Sequence, residues 1–256
     1  MSKNKLNPKN IPFIHNYCDR WCERCTFTSR CAVAEMESNL KPEQLDINNK
    51  AFWENIAKNF ADAMVMLVKE AKKHGIDIEN FTEEELNESY KLRKISRQKA
   101  ENSHLIKLSK AYGNAAMKFL KDKPTFQDKE NEIQTHVDLG IKSITDANDE
   151  STTIIDCFEI INWYCLFIQV KFMRAMPDEM DDDDYSTDLQ SDNNGSAKIA
   201  LIAVDRSIMA WQKLYDLMPN IEDLAINQLA TLQKIQKLGE KYFPNARRFM
   251  RPGFDG

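Results

Sequence analysis

Glycine is scarce in this chain: 7 of 256 residues, against a usual share of about 7%. Sheets with tight turns and phosphate-cradling loops both need more of it, so neither is expected as an organising element. Histidine is as sparse, at four residues, and no Ser-His-Asp or H-E-x-x-H arrangement can be assembled from the sequence. No stretch reaches about 18 uninterrupted apolar residues, the length a membrane span requires. The first ten residues are polar with no apolar core, which argues against a secretory or transit segment. These absences lead us to expect a cytoplasmic protein without a membrane segment. Methionine, lysine, glutamate, alanine and leucine are plentiful instead, a mixture that favours helices.

Charge is unevenly placed. The net charge is −5, yet Asp178, Glu179, Asp181 to Asp184, Asp188 and Asp192 supply eight negative charges with no base among them. Without that run the rest of the chain stands at +3, nearly balanced and with no strong overall basic footprint for nucleic acid. We expect 178–196 to be a mobile acidic loop.

Apolar spacing reads as helix almost throughout. Asn48 or Asn49 can cap a helix from about Lys50 to His74, with Trp53, Ile56, Phe60, Met64, Leu67 and Ala71 as its stripe. Thr82-Glu83-Glu84-Glu85 is a capping box, opening a helix that we expect to run to Phe119 or Leu120 before Lys123-Pro124 stops it. A weaker helix from Phe126 to Ser143 and a polar junction from Asp146 to Thr152 follow. Thr153 to Met176 is the most apolar helix; Asp156, Glu159, Lys171 and Arg174 interrupt it, so it reads as a core helix and not a membrane span. Ser196 is placed to cap a helix to about 218, and Asn220 the last one, closed by Pro244. The expected fold is all-α: an antiparallel bundle of five to six helices over residues 46–256. An N-terminal arm and cysteine-rich knot over residues 1–45 precede it.

The knot carries the recognisable chemistry. Cys18, Cys22, Cys25 and Cys31 follow C-x3-C-x2-C-x5-C, and short spacings bring thiolates to one point cheaply. With residues 18–25 helical, the first three cysteines would stand at i, i+4 and i+7 on one face, and a loop would return Cys31 as fourth ligand. Arg20, Arg24 and Arg30 alternate with them and would offset the charge of about −2 on a four-thiolate zinc or [4Fe–4S] centre.

Cys22-x2-Cys25-x5-Cys31, with Cys18 upstream, resembles the cluster loops of endonuclease III-type glycosylases, SPASM-type radical enzymes and cluster-bearing recombination nucleases. The resemblance spans fourteen residues; it implies a [4Fe–4S] cofactor on Cys18, Cys22, Cys25 and Cys31 and transfers no activity. The first three cysteines also spell the radical SAM signature. Arg24 stands where that signature has an aromatic residue, Cys31 would occupy the iron that S-adenosylmethionine needs, and no βα repeat follows. Structural zinc is the alternative, although such sites more often use two separated C-x2-C pairs or histidines.

Glu101-Asn102-Ser103-His104 is an E-x-x-H, half the motif of a ferritin-like di-metal bundle, with Glu159 as a further carboxylate. No second E-x-x-H exists, and a solvated face or salt bridge explains it as well. Lys91, Arg93, Lys94, Arg97 and Lys99 form a basic stretch that reads as a solvated face. It could also dock the acidic run 178–192 or contact phosphate, and either stretch could meet a protein partner. Cys157 and Cys165 read as buried core thiols. The functional expectation is an iron–sulfur protein for electron transfer or redox sensing. The alternatives are a non-enzymatic adaptor stapled by structural zinc and, behind it, a di-metal carboxylate enzyme. Neither substrate nor oligomeric state is legible.

Overall fold

Capping and apolar periodicity account for most of what is seen. In the computed structural model, which describes residues 7–75, 82–177 and 188–255, the described residues hold nine α-helices and short 3-10 turns, with no strand. The fold is all-α, as expected. The chain divides into two units: Met1–Arg93 with Pro252–Phe254, and Lys94–Arg251 with Asp255–Gly256.

The first unit opens on 3-10 turns over Ile14–Tyr17, Cys22–Arg24 and Thr28–Arg30, followed by α1 (Ala32–Ser38), α2 (Pro42–Leu45) and α3 (Lys50–Lys73). Asn49 caps α3 by accepting from the Ala51 N–H at 3.0 Å, which satisfies one of the free donors at the helix start. The first turns of α4 (Glu83–Asn102) complete the unit. The Thr82 capping box is present in both directions: Glu85 N–H donates to Thr82 Oγ1 at 3.2 Å, and Thr82 N–H donates to Glu85 Oε2 at 2.8 Å.

The second unit holds the end of α4, then α5 (His104–Leu120), α6 (Lys123–Asp138), α7 (Ile144–Ala175), α8 (Asp192–Leu217) and α9 (Glu222–Tyr242). Helix α7 packs on α5 and α8, and α9 packs on α5 and α8. Ile161, Ile168 and Phe172 of α7 are fully buried, as are Trp211 and Leu214 of α8 and Leu232 and Ile235 of α9. Each such side chain contributes about 1.5–3 kcal/mol. Small residues set the spacing. Ala197, Ala200 and Ala203 of α8 are fully buried, and a Cβ on Gly113 of α5 would sit 2.5 Å from the Cys165 carbonyl oxygen of α7. Inside this packing the Trp211 indole N–H donates to the Tyr112 hydroxyl at 3.2 Å, so neither buried polar group is left bare.

Boundaries differ from expectation for local reasons. The helix expected from Thr82 to Phe119 or Leu120 breaks at Ser103, whose extended backbone and hydroxyl, accepting from Ile106 N–H, make it the N-cap of α5. Pro124 does not follow a helix end but sits in the first turn of α6, where its missing N–H costs nothing. Residues 146–152, expected as a junction, belong to α7, because Ser143 caps that helix and Ala147 is buried. Likewise Ser191, not Ser196, caps α8. Helix α7 is the one described helix long and apolar enough to cross a membrane by length and composition. Its buried face, from Ile154 to Phe172, is its seam with neighbouring helices.

Candidate metal centre

The four N-terminal cysteines do not share a helix. Cys18, Cys25 and Cys31 each follow a 3-10 turn and are extended, and Cys22 starts the second of those turns. The expected i, i+4, i+7 stripe is therefore replaced by a repeated unit, a tight turn that delivers an extended cysteine. Cys25 N–H returns to the Cys22 carbonyl at 3.1 Å and Cys31 N–H to that of Thr28 at 3.3 Å. Between Cys18 and Cys22 an Asx turn runs through Arg20, which holds a left-handed φ of 60°. A non-glycine residue there costs energy that its surroundings must supply. Asp19 supports the turn by accepting from Trp21 N–H at 3.2 Å, and the Arg24 guanidinium lies 4.1 Å over the Trp21 ring.

These turns place Cys18, Cys22, Cys25 and Cys31 around one small enclosure, with Ile14, His15 and Phe254 among its other walls. The wall at Phe254 comes from the far end of the sequence. Its ring meets Phe27 edge-on with centroids 5.0 Å apart. Gly253 beside it takes a left-handed φ of +76°, and a Cβ there would lie 2.9 Å from Ile11 Cδ1, so the isoleucine would have to shift. Ile11 N–H in turn donates to the Arg30 carbonyl at 2.9 Å, tying the arm to the knot.

Two sulfurs already have polar partners. Cys25 Sγ accepts from Phe27 N–H at 3.4 Å, and the Cys18 thiol donates to the His15 carbonyl at 3.5 Å. Burial pushes the Cys18 thiol up, against the opposing pull of the Arg20 backbone and charge. Burial, followed by the Glu37 carboxylate and the neighbouring cysteines, pushes Cys22 up as well. Both are thus thiols at neutral pH, and a metal would have to displace their protons. As arranged, the sulfurs share the enclosure without closing on a common point: among the described residues no group of three or more His, Cys, Asp or Glu side chains is poised to hold an ion. His15 adds an observation the sequence did not suggest. It lines the same enclosure, and its Nδ1 is buried with no hydrogen-bond partner. Burial, then the Arg20 charge, holds its pKa below the usual value, so a neutral imidazole with a free nitrogen stands among four cysteines. That donor set, soft thiolates with an available imidazole, fits zinc or an iron–sulfur cluster.

The other candidate positions do not converge. Glu101 ends its reach in an ion pair with Arg97 at 2.9 Å on α4. His104 begins α5 beyond the Ser103 break, so the E-x-x-H does not lie on one helix face. Glu159 is exposed on α7. The basic residues from Lys91 to Lys99 are all exposed on α4. Of the acidic run, residues 178–187 lie outside the described residues, while Asp192 pairs with Arg174 at 2.7 Å. Cys157 and Cys165 are buried in the second unit, and burial pushes the Cys157 thiol up to about 11, which makes it inert.

No protein family, curated protein or solved structure matches the chain.

Proposed function

We propose that Cys18, Cys22, Cys25 and Cys31 hold an inorganic centre as thiolates, and that this centre is a [4Fe–4S] cluster used for electron transfer or redox sensing. The observation that carries the reading is the single enclosure lined by all four cysteines and by the unpartnered His15 Nδ1. When bound, a cluster supplies one-electron chemistry whose potential depends on hydrogen bonds to sulfur and on exposure. The Phe27 N–H on Cys25 Sγ, the nearby arginines and the Phe254 ring are the groups of this chain that would set both.

A second reading, a single structural zinc that staples the first unit together, is favoured by size. The cavity is about 20 Å³, close to what one water-sized body occupies, and a lone ion needs less rearrangement than an iron–sulfur cube. Anaerobic purification with iron, sulfide and zinc analysis decides between them. Iron and sulfide with visible absorbance, lost in Cys22→Ser and Cys25→Ser, supports the cluster. One zinc in a colourless protein supports the staple. Neither metal retained, under conditions where the chain is folded, overturns both.

A further inference from the structure

Helices α6 and α7 are joined by a short connection at Leu139–Ser143 and diverge enough to leave a groove of about 640 Å³ in the second unit. Its walls are mainly apolar: Phe126, Ile133 and Val137 from α6, and Ile144, Ile155 and Phe158 from α7. Ile144 is 70% exposed and Ile155 56%, and together with the other apolar walls they form one contiguous patch along the groove, which is the arrangement that marks an interaction site. The lining positions cover twelve residues of α6 and fifteen of α7, so the groove is about 17–21 Å long at the helical rise. That is three to four turns of a helix, longer than a compact ligand needs.

Charge says what kind of helix. Between Lys123 and Phe158 the chain carries eight carboxylates against three lysines. Two of those lysines are already committed. Lys129, almost fully buried, bonds Glu132 and Glu150 at 2.9 Å each, and Lys142 pairs with Glu150. Asp128, Glu130 and Asp149 are exposed, and no base pairs with them among the described residues. Glu130 itself lines the groove. An acyl chain would bring its own carboxylate to this acidic rim, and a second copy pairing through the same face would set acid against acid.

We propose that the α6–α7 groove binds an amphipathic helix from a partner protein, with aliphatic anchors at i, i+4 and i+7 and lysine or arginine on the flanking faces. The anchors cover Ile144 and Ile155, and the basic flanks meet Glu130 and Asp149. This holds whether or not the cysteines bind metal.

The test uses the full chain and a fluorescent leucine/lysine peptide of about 14 residues in helical pattern, with a leucine/glutamate peptide of the same pattern as control. Anisotropy should report binding of the basic peptide only, weakening as salt rises. Ile144→Gln and Ile155→Gln remove anchors at exposed positions without changing charge, and together should weaken binding by about tenfold. Glu130→Gln with Asp149→Asn should weaken it and flatten the salt dependence, while circular dichroism stays that of the parent. Unchanged affinity in the isoleucine pair would show a purely electrostatic attraction to some other acidic stretch and overturn the proposal. So would equal binding of the acidic peptide, or a dimer in sedimentation that the isoleucine pair dissolves.

Discussion

Helix α3 in the first unit and helix α8 in the second make a useful pair. Both are long, at 24 and 26 residues, both are N-capped by a side chain that accepts a backbone N–H, and both show apolar residues at helical spacing. Yet Ile199, Leu201, Trp211 and Leu214 of α8 are buried, whereas Trp53, Phe60, Met64 and Leu67 of α3 are more than half exposed. The period therefore marks which face is apolar and does not say that the face has a partner. Both helices carry small residues, α3 at Ala51, Ala57, Ala61, Ala63 and Ala71; what separates them is that those of α8 lie against the neighbouring helices α7 and α9. Ala197, Ala200, Ala203 and Ala210 let neighbours approach α8 closely, and such approach gives the density on which core stability depends.

The sharpest way to break this contrast is to ask what holds the first unit at all. Its described residues bury little beyond Ile14 and Ala71, so the proposed centre would carry much of its stability. A structural zinc in a small fold is worth on the order of 10 kcal/mol. Treating the metal-loaded protein with a chelator, or replacing Cys22 and Cys25 with serine, should open residues 7–45 to limited proteolysis and leave the α5, α7, α8 and α9 packing intact. Unchanged cleavage on metal removal would mean that turns and aromatic contacts suffice, and the staple would lose its purpose. Metal loading should also weaken as pH falls, since the raised Cys18 and Cys22 thiols must lose protons to bind.

A smaller effect tests the second side. Ile168 is fully buried, so Ile168→Ala should cost about 2–5 kcal/mol in denaturant unfolding. Leu67→Ala, on the open face of α3 at 54% exposure, should stay within about 0.5 kcal/mol. A large loss at Leu67 would show that the α3 face is covered in solution.

How much of this was legible in the residues depends on distance along the chain. Asn49 and the Thr82–Glu85 box were readable because a cap acts over three residues. Ser103, Pro124 and Ser143 carried the same kind of signal, but runs of polar residues around them imitated a continuous helix in one case and a loop in the others. The burial of Ala147 against its neighbours is what keeps 146–152 helical, and no local pattern encodes that. At the knot, cysteine spacing pointed to a shared site and misled on backbone, since i, i+4, i+7 fits a helix as readily as a series of tight turns. His15 carries no signal in the sequence, and its orphan Nδ1 exists only because the turns enclose it. Phe254 and Gly253 belong with residues more than 220 positions earlier, a pairing of the kind sequence periodicity cannot express.

The end of the chain offers the finest test, because it separates an ion pair's charge from its packing. Asp255 accepts from the Arg251 guanidinium at 2.8 Å and pairs with Lys198 at 2.7 Å, with only 17% of its side chain exposed. Burial alone would push its carboxyl up. The hydrogen bonds from Arg251 and Lys198 outweigh it and hold the group well below the usual carboxylate range. A depressed folded pKa stabilises the fold at every pH above the unfolded value near 4, and that contribution is lost as pH falls through the folded one. Asp255→Asn should therefore cost about 1–2 kcal/mol at pH 7, and its unfolding curve should converge on the parent's as the solution is acidified below about pH 4. A gap that persists unchanged at low pH would mean that the substitution acts through lost packing, and that the two cations at Asp255 contribute nothing by their charge.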